Sequence, residues 1–249
     1  MIIIKSPAEI EIMREAGRVV GRVLEAVSQA VLPGVTTASL NRQAEEMTRS
    51  LGAVPAFKGY RGYPYSLCCS INEQVVHGFP GSVPLKEGDI LSMDFGVVLD
   101  GFYGDTATTV AVGGGTSPEA LALLKATEAS LMAGIDQVRP GNHLGDISSA
   151  VQKVAEGAGF SVVRQFVGHG IGRSLHEEPQ VPNFGLPGRG VQLKPGMVLA
   201  IEPMINAGGF EVRILQDGWT AVTVDGKLSA HFEHTVAVTV DGPRILSLP

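Results

Sequence analysis

The sequence predicts an α+β fold in which two helix-helix-strand halves, about 1–112 and 113–249, pack around a pseudo-twofold axis and share one sheet within a single domain. Three observations predict it. Val31-Leu32-Pro33-Gly34 matches Val138-Arg139-Pro140-Gly141 at an offset of 107. Leu85-Lys86-Glu87-Gly88-Asp89-Ile90-Leu91-Ser92-Met93-Asp94 matches Leu193-Lys194-Pro195-Gly196-Met197-Val198-Leu199-Ala200-Ile201-Glu202 at an offset of 108. Each half also runs in the same order, two amphipathic helical stretches followed by apolar, β-branched segments. A period this long is not that of a solenoid, which leaves a duplicated half-domain.

In the first half, Ser6-Pro7-Ala8-Glu9 supplies an N-cap serine, a proline at the first helical position and a glutamate three residues on. Ile10, Met13, Gly17, Val20, Leu24, Val27 and Val31 follow at three-four spacing, so a helix is expected up to Pro33-Gly34. A second helix begins near Thr36-Thr37, sets Leu40, Ala44, Met47 and Leu51 on one face, and stops at Gly52. Residues 66–71, 89–99 and 102–112 read as strands, and Asp100-Gly101 between the last two is a two-residue hairpin signal.

The second half repeats this order. Ser117-Pro118-Glu119 caps a helix carrying Leu121, Leu124, Leu131, Ile135 and Val138, which Pro140-Gly141 ends. The next helix carries Leu144, Ile147, Val151, Val154 and Ala158 before Gly159, and strands resume from Ser161. Gly113-Gly114-Gly115 is too short to separate independent domains.

Composition narrows the function. Apolar residues at 44% and charged residues at 18% exclude disorder, and no apolar run approaches the roughly 18 residues of a membrane span. Lys5, Pro7 and Glu9 interrupt the opening Met1-Ile2-Ile3-Ile4 before a signal-peptide core can form, so a cytoplasmic protein without a membrane partner is expected. Cys68 and Cys69 are sequence neighbours and read as free thiols. A net charge of −6 argues against general capture of nucleic acid, and no specific nucleic-acid partner is expected.

The chemistry begins with the repeat, which puts Asp94 and Glu202 in register, each expected to close an apolar strand. A carboxylate there is costly if buried without a partner, and two in register point past simple exposure at a strand end. With Asp100-Gly101 as a two-residue turn, residues whose numbers sum to 201 face each other, so Asp105 opposes Gly96 and shares a face with Asp94. Such diagonal neighbours lie roughly 7–8 Å apart, a separation that one or two cations can bridge. His169, in Gly168-His169-Gly170-Ile171-Gly172, and Glu233, in His231-Phe232-Glu233-His234-Thr235, complete an Asp, Asp, His, Glu, Glu set. Two divalent ions would neutralise four carboxylates and lower the pKa of a shared water enough to make a hydroxide nucleophile near neutral pH.

Two glycine-rich stretches are decoys. Residues 112–118 outline a phosphate loop without its Gly-Lys-Ser/Thr ending, and the glycines around His169 are wrongly spaced for a dinucleotide fingerprint. His143 and His234 read as structural.

Seven motifs carry a family resemblance: Ser70-Ile71-Asn72-Glu73 with Val76-His77-Gly78, Met93-Asp94-Phe95-Gly96, Asp100-Gly101-Phe102-Tyr103-Gly104-Asp105-Thr106, Gly168-His169-Gly170-Ile171-Gly172-Arg173, His176-Glu177-Glu178-Pro179, Ile201-Glu202-Pro203 and Phe232-Glu233-His234-Thr235. Along the whole chain these resemble the type I methionine aminopeptidases of the short bacterial kind. Those belong to peptidase family M24, whose pita-bread fold, two pseudo-symmetric halves around a mainly antiparallel curved sheet, is shared with creatinase, prolidase and aminopeptidase P. The resemblance implies hydrolysis of the initiator methionine from N-terminal methionine peptides and nascent chains when the second residue is small, with a metal-bridging hydroxide as nucleophile. It also implies ribosome contact and a monomer.

Residue by residue, the resemblance implies that Asp94 chelates one ion, Asp105 and Glu233 bridge both, and His169 and Glu202 complete the second. His77 would contact the peptide nitrogen after the scissile bond, His176 would steady the carbonyl oxygen, and Glu202 would carry the proton from the attacking water to the leaving amine. Phe57, Tyr60, Tyr63, Cys68, His77, Leu175, His176 and Trp219 would contact the substrate and its methionine side chain. Mixed carboxylate and imidazole ligands suit Co, Mn, Fe or Zn, and Asn72 and Ser229 match residues that hold a monovalent cation in some relatives. Three positions depart from the family: Phe57 for a common cysteine, Leu175 for an aromatic or methionine, and His231 for glutamine. His231 is expected to replace an amide hydrogen bond rather than to add a titrating group beside the metals. The alternatives are cleavage of the Xaa-Pro aminopeptidase or prolidase kind, whose enzymes usually carry a further domain before a first helix that here starts at Ser6, and a metal-free binding protein, against which all five ligands are present.

Overall fold

Each half opens with a pair of helices capped by its own sequence, in a computed structural model that describes residues 1–249. Helix α1 (Pro7–Gln29) starts with a capping box, in which Ser6 Oγ accepts the Glu9 N–H and the Glu9 carboxylate accepts the Ser6 N–H. It ends four residues before Pro33 rather than at it, because proline disfavours helical geometry at the residue before it and the chain has to turn out earlier. Helix α2 (Thr37–Ser50) is capped by Thr36. Strands β1 (Val54–Pro55), β2 (Leu67–Ile71), β3 (Gln74–Val76), β4 (Ile90–Leu99) and β5 (Phe102–Ala111) complete the first half.

The second half supplies α3 (Pro118–Ile135), α4 (Leu144–Gly157), β6 (Ser161–Val162), β7 (Gly168–Gly170) and β8 (Glu177–Val181). It continues with β9 (Val198–Ile201), β10 (Met204–Asn206), β11 (Val212–Ile214), β12 (Ala221–Thr223), β13 (Ser229–His231), β14 (Glu233–Thr239) and β15 (Gly242–Ile245). Ser117 caps α3 as expected, although this helix too stops short of its Pro-Gly pair. No helix is long and apolar enough to cross a membrane.

The duplication is visible in the backbone hydrogen bonds. Gly34 donates to Leu85 O at 2.8 Å, and its counterpart Gly141 donates to Leu193 O at 3.1 Å. Gly88 donates to Val112 O and Gly196 to Val238 O, both at 2.9 Å. Both Pro-Gly turns hold their glycine at positive φ, 89° and 93°, which accounts for glycine in each copy.

One nine-stranded sheet takes strands from both halves in the order β1-β4-β5-β14-β9-β7-β8, with β2 added on β4 and β15 on β14. Two three-stranded sheets, β13-β10-β6 and β11-β12-β3, flank it. Every pairing is antiparallel. The seam between the halves is β5 against β14, where Glu233 faces Ala107 and His234 faces Thr106.

The β4–β5 hairpin turns at Asp100 and Gly101, with φ of 50° and 76°, and keeps the expected register, Gly96 facing Asp105 and Asp94 facing Ala107. One expectation is corrected. Asp94 does not close its strand but sits in the middle of β4, because the hairpin ladder continues past it to Leu99 and Phe102. Glu202 does follow the last residue of β9, where Pro203 has no N–H to extend the ladder.

Each half has its own apolar core under its helices. A third cluster, including Met13, Phe57, Tyr63, Phe102, Ile171, Leu175 and Val198, draws on both halves and underlies the site. Helix α1 presses on the end of the chain so closely that a Cβ at Gly17 would lie 2.1 Å from Leu246 O. Arg14 secures that contact by donating to the carbonyls of Leu246 and Leu248, both at 2.6 Å.

Candidate active site

The main sheet and the loops at its edge converge on a cavity of about 150 Å³. All thirteen predicted site residues line it: Phe57, Tyr60, Tyr63, Cys68, His77, Asp94, Asp105, His169, Leu175, His176, Glu202, Trp219 and Glu233. The fourteenth lining residue, Arg61, was not among the expectations.

One end of the cavity is acidic. Asp105 on β5, His169 on β7 and Glu233 on β14 bring one ligand atom each to within 4.8 Å of one another. They are 4%, 7% and 2% exposed. Asp94 joins from β4, and Glu202 Oε1 lies 3.4 Å from His169 Nε2. His169 Nδ1 is 2.8 Å from Gly170 O; a carbonyl only accepts, so Nδ1 carries the proton and Nε2 presents its lone pair to the carboxylates.

This cluster is unfavourable on its own. Asp94 Oδ1, Asp105 Oδ1 and Glu233 Oε1 are buried without any hydrogen-bond partner. Burial pushes the Asp94 carboxyl up to about 7. Burial first, then the charge of Asp94, raises Asp105 and Glu202 well above the carboxylate range. Glu233 is raised in the same way, by burial and then by Asp105. Burial, with His176 nearby, lowers His169 to about 3, so its imidazole is neutral. Unpartnered carboxylate oxygens plus one neutral imidazole form a donor set that fits hard or borderline divalent cations, which would replace the retained protons.

Two further histidines face the cluster. His77 follows β3 in a left-handed conformation, φ 60°, with its ring edge-on to Phe166 and Trp219 at 5.4 and 6.2 Å. Burial, then the neighbouring His176, lowers it to about 4. His176 stacks on Tyr60 at 5.4 Å, accepts or donates a 2.8 Å hydrogen bond between Nδ1 and Tyr60 Oη, and lies 4.2 Å from the His169 ring. Burial and then Arg61 lower its pKa.

The other end of the cavity is apolar. Tyr63 Oη donates to Gly78 O at 2.9 Å, which holds the ring edge-on to Trp219 at 5.1 Å. Phe57, Cys68 and Leu175 are buried, and burial, reinforced by Asp94, keeps the Cys68 thiol protonated. The Phe57 ring packs against Gly96, where a Cβ would lie 2.6 Å from Phe57 Cε1.

His231 departs from the expectation of an amide substitute. Its Nε2 is buried without a hydrogen-bond partner and lies 3.9 Å from Glu202 Oε2, because the rigid ring stops short of a hydrogen bond. Burial, then His77, lowers its pKa to about 3. Asn72, at φ 55°, lies beside Ser229, whose N–H donates to Asn72 O at 2.9 Å. His234 bonds Ser247 Oγ through Nδ1 at 2.9 Å on the opposite face from Glu233, and His143 caps α4, both structural as read. The missed residue, Arg61, stands in a tight turn between Gly59 and Gly62, both at positive φ. Those two glycines were the available signal.

Comparison with known proteins agrees with this geometry. The pattern of metallopeptidase family M24 matches residues 11–240. The methionine aminopeptidase of Clostridium perfringens is 56% identical over 248 residues, covering 100% of this chain and 99% of that protein. Methionine aminopeptidase 1 of Bacillus subtilis is 52% identical over 247 residues, 99% of each. The crystal structure of methionine aminopeptidase from Rickettsia prowazekii, 45% identical, superposes with a TM-score of 0.98 over 100% of both chains. With a buried carboxylate-imidazole cluster on an antiparallel sheet built from two halves, the chain belongs to metallopeptidase family M24 and, within it, to the methionine aminopeptidases.

Proposed function

We propose that the protein is a metal-dependent aminopeptidase that removes the N-terminal methionine of peptides and nascent chains through two divalent ions. The observation that carries this is the cavity itself, which joins a cluster of buried carboxylates, three of them with an oxygen that has no hydrogen-bond partner, to an apolar floor of aromatic rings and a thiol. Asp94 would hold one ion, Asp105 and Glu233 both, and His169 and Glu202 the second, with Co, Mn, Fe and Zn all suited to these donors. When bound, the ions supply a water that ionises near neutral pH and positive charge beside the scissile carbonyl.

The chain's own residues do the rest. Glu202 takes the proton of the attacking water and returns it to the leaving amine. With Tyr60 Oη as the donor in its 2.8 Å contact with Nδ1, the His176 imidazole would carry its proton on Nε2 and steady the carbonyl oxygen as charge develops there. His77, lowered to about 4, is neutral against the peptide nitrogen beyond the scissile bond. Phe57, Tyr63, Cys68, Leu175 and Trp219 take the unbranched thioether, and the preference for a small second residue follows from the family resemblance.

The same reading treats residues 1–249 as one catalytic domain, supported by a sheet that takes strands from both halves. It places a monovalent cation beside Asn72 and Ser229, supported by their adjacency. A monomer working in the cytoplasm on chains leaving the ribosome follows from the family resemblance.

The test strips the protein with chelator, restores single divalent metals and follows amino-acid release from Met-Ala-Ser and Ala-Pro-Ser. Metal-dependent release from the first peptide alone is expected. Cleavage of the second would move the function to proline-directed hydrolysis, and silence on both with every metal would favour a binding protein. Leu175→Phe is expected to shift the ratio of kcat/KM between Met-Ala-Ser and its norleucine analogue about 10-fold at unchanged metal content. An unchanged ratio would remove Leu175 from the pocket.

A further inference from the structure

Leu175 and His176 reach the cavity from a segment that belongs to no helix or strand, between the end of β7 at Gly170 and the start of β8 at Glu177. Side chains that must meet a substrate to within a fraction of an ångström need fixed supports, and this loop has no ladder of its own to provide them. Glu177 provides them. Its Oε1 accepts the backbone N–H of Arg173 at 2.9 Å and of Ser174 at 3.3 Å, the two residues before Leu175. Its Oε2 meets Lys5 Nζ at 2.6 Å, with the two side chains 6% and 3% exposed.

Lys5 is tethered in turn. Its backbone N–H donates to Gly196 O at 2.8 Å, and its Nζ donates to Ile3 O at 3.2 Å. The packing leaves no slack, since a Cβ at Gly172 would lie 2.6 Å from both Glu177 Oε1 and Lys5 Cε. On the far side of the loop, Tyr103 N–H donates to Gly172 O at 2.8 Å. Neither Lys5 nor Glu177 lines the cavity, so neither touches the reacting atoms.

We propose that the buried Lys5–Glu177 ion pair is a positioning device for the active site, which holds the 172–176 loop so that Leu175 and His176 stand where the substrate needs them. This rests on the roles given to those two residues above. A buried pair that loses one partner strands the other charge, which then moves toward water. Without Lys5 the stranded group is the Glu177 carboxylate that bonds the loop, and without the Glu177 charge it is the Lys5 ammonium packed against Gly172. The segment before α1 thereby supports a loop of the site that lies more than 160 positions away in sequence.

The experiment compares the metal-loaded parent with Lys5→Met, Glu177→Gln and the conservative Lys5→Arg. Bound metal, Tm, kcat and KM on Met-Ala-Ser and its norleucine analogue, and the Kd for L-methionine are measured well below each Tm. Lys5→Met and Glu177→Gln are expected to keep the parental metal content and lose ~10- to 100-fold in kcat/KM. They should also bind methionine about 5-fold or more weakly and change the methionine-to-norleucine ratio, with Lys5→Arg recovering most of each loss. Glu177→Gln keeps an acceptor for both loop N–H groups and carries the test if Lys5→Met does not fold. A lowered Tm with parental kinetics, selectivity and methionine affinity would overturn the proposal. A parent that releases no methionine from Met-Ala-Ser would instead overturn the functional reading beneath it.

Discussion

Glu202→Gln is expected to lower kcat for methionine release about 10²- to 10⁴-fold at saturating metal. The substitution keeps size and shape, so the fold should persist, yet it removes the carboxylate proposed above to carry the proton. Glu202 Oε1 lies 3.4 Å from His169 Nε2, and its Oε2 lies 3.9 Å from His231 Nε2. An amide in that position retains a neutral ligand oxygen but cannot accept and return a proton. Asp94→Asn should act on the metals instead, reducing the amount bound and the activity together. Methionine release and bound metal, measured on the same samples, separate the two effects. Activity of Glu202→Gln within about 3-fold of the parent would remove it from the proton path.

Metal removal is expected to reverse the pH dependence of stability. In the metal-free protein the cluster carboxyls titrate high, Asp94 at about 7 and its partners well above the usual range, through burial and mutual repulsion. A carboxyl whose folded pKa lies above its unfolded one stabilises the fold below the unfolded value and loses that contribution as pH rises through the folded value. The buried histidines act in the opposite direction. His77, His169 and His231, lowered to about 4, 3 and 3, weaken the fold only as pH falls below the unfolded histidine value of about 6.5. Between about pH 6.5 and 8 the unfolded carboxylates have finished titrating and the unfolded histidines lose only the remaining half of their charge, so the native carboxyls dominate the slope. The chelated protein should therefore melt at least ~5 °C lower at pH 8 than at pH 6.5. Saturating manganese should raise Tm most at pH 8, because the ions bind the ionised set and displace its protons. Thermal unfolding in matched buffers reads both trends. A chelated Tm that rises between pH 6.5 and 8 would mean that the cluster is not held protonated.

Much of this site could be read before folding, for identifiable reasons. The β4–β5 hairpin was legible because a two-residue turn fixes register by counting, and register alone set Asp94 and Asp105 on one face. The repeat was legible because both copies keep the same Pro-Gly turns, whose glycines bond Leu85 and Leu193. What stayed hidden depends on contacts between distant side chains, for which periodicity carries no signal. The packing of the Phe57 ring against Gly96, 39 positions on, is one such contact. Arg61 was overlooked because an isolated arginine between two glycines looks like any exposed turn. Lys5 reads as interrupting a signal peptide and Glu177 as part of a motif carrying the family resemblance, and neither reading bears on their 2.6 Å contact.

The seam between β5 and β14 also decides when the enzyme comes into being. Asp94 and Asp105 lie on a hairpin that closes locally and can form early during synthesis, whereas Glu233 opens a strand that pairs with β5 only after the second half has emerged. Until then the pocket would lack Glu233, one of the three residues whose ligand atoms lie within 4.8 Å of one another. Because its pairing partners lie so far apart along the chain, the protein should collapse quickly into half-domains and acquire its bound ions slowly. The last association to form is then the one that switches the hydrolase on.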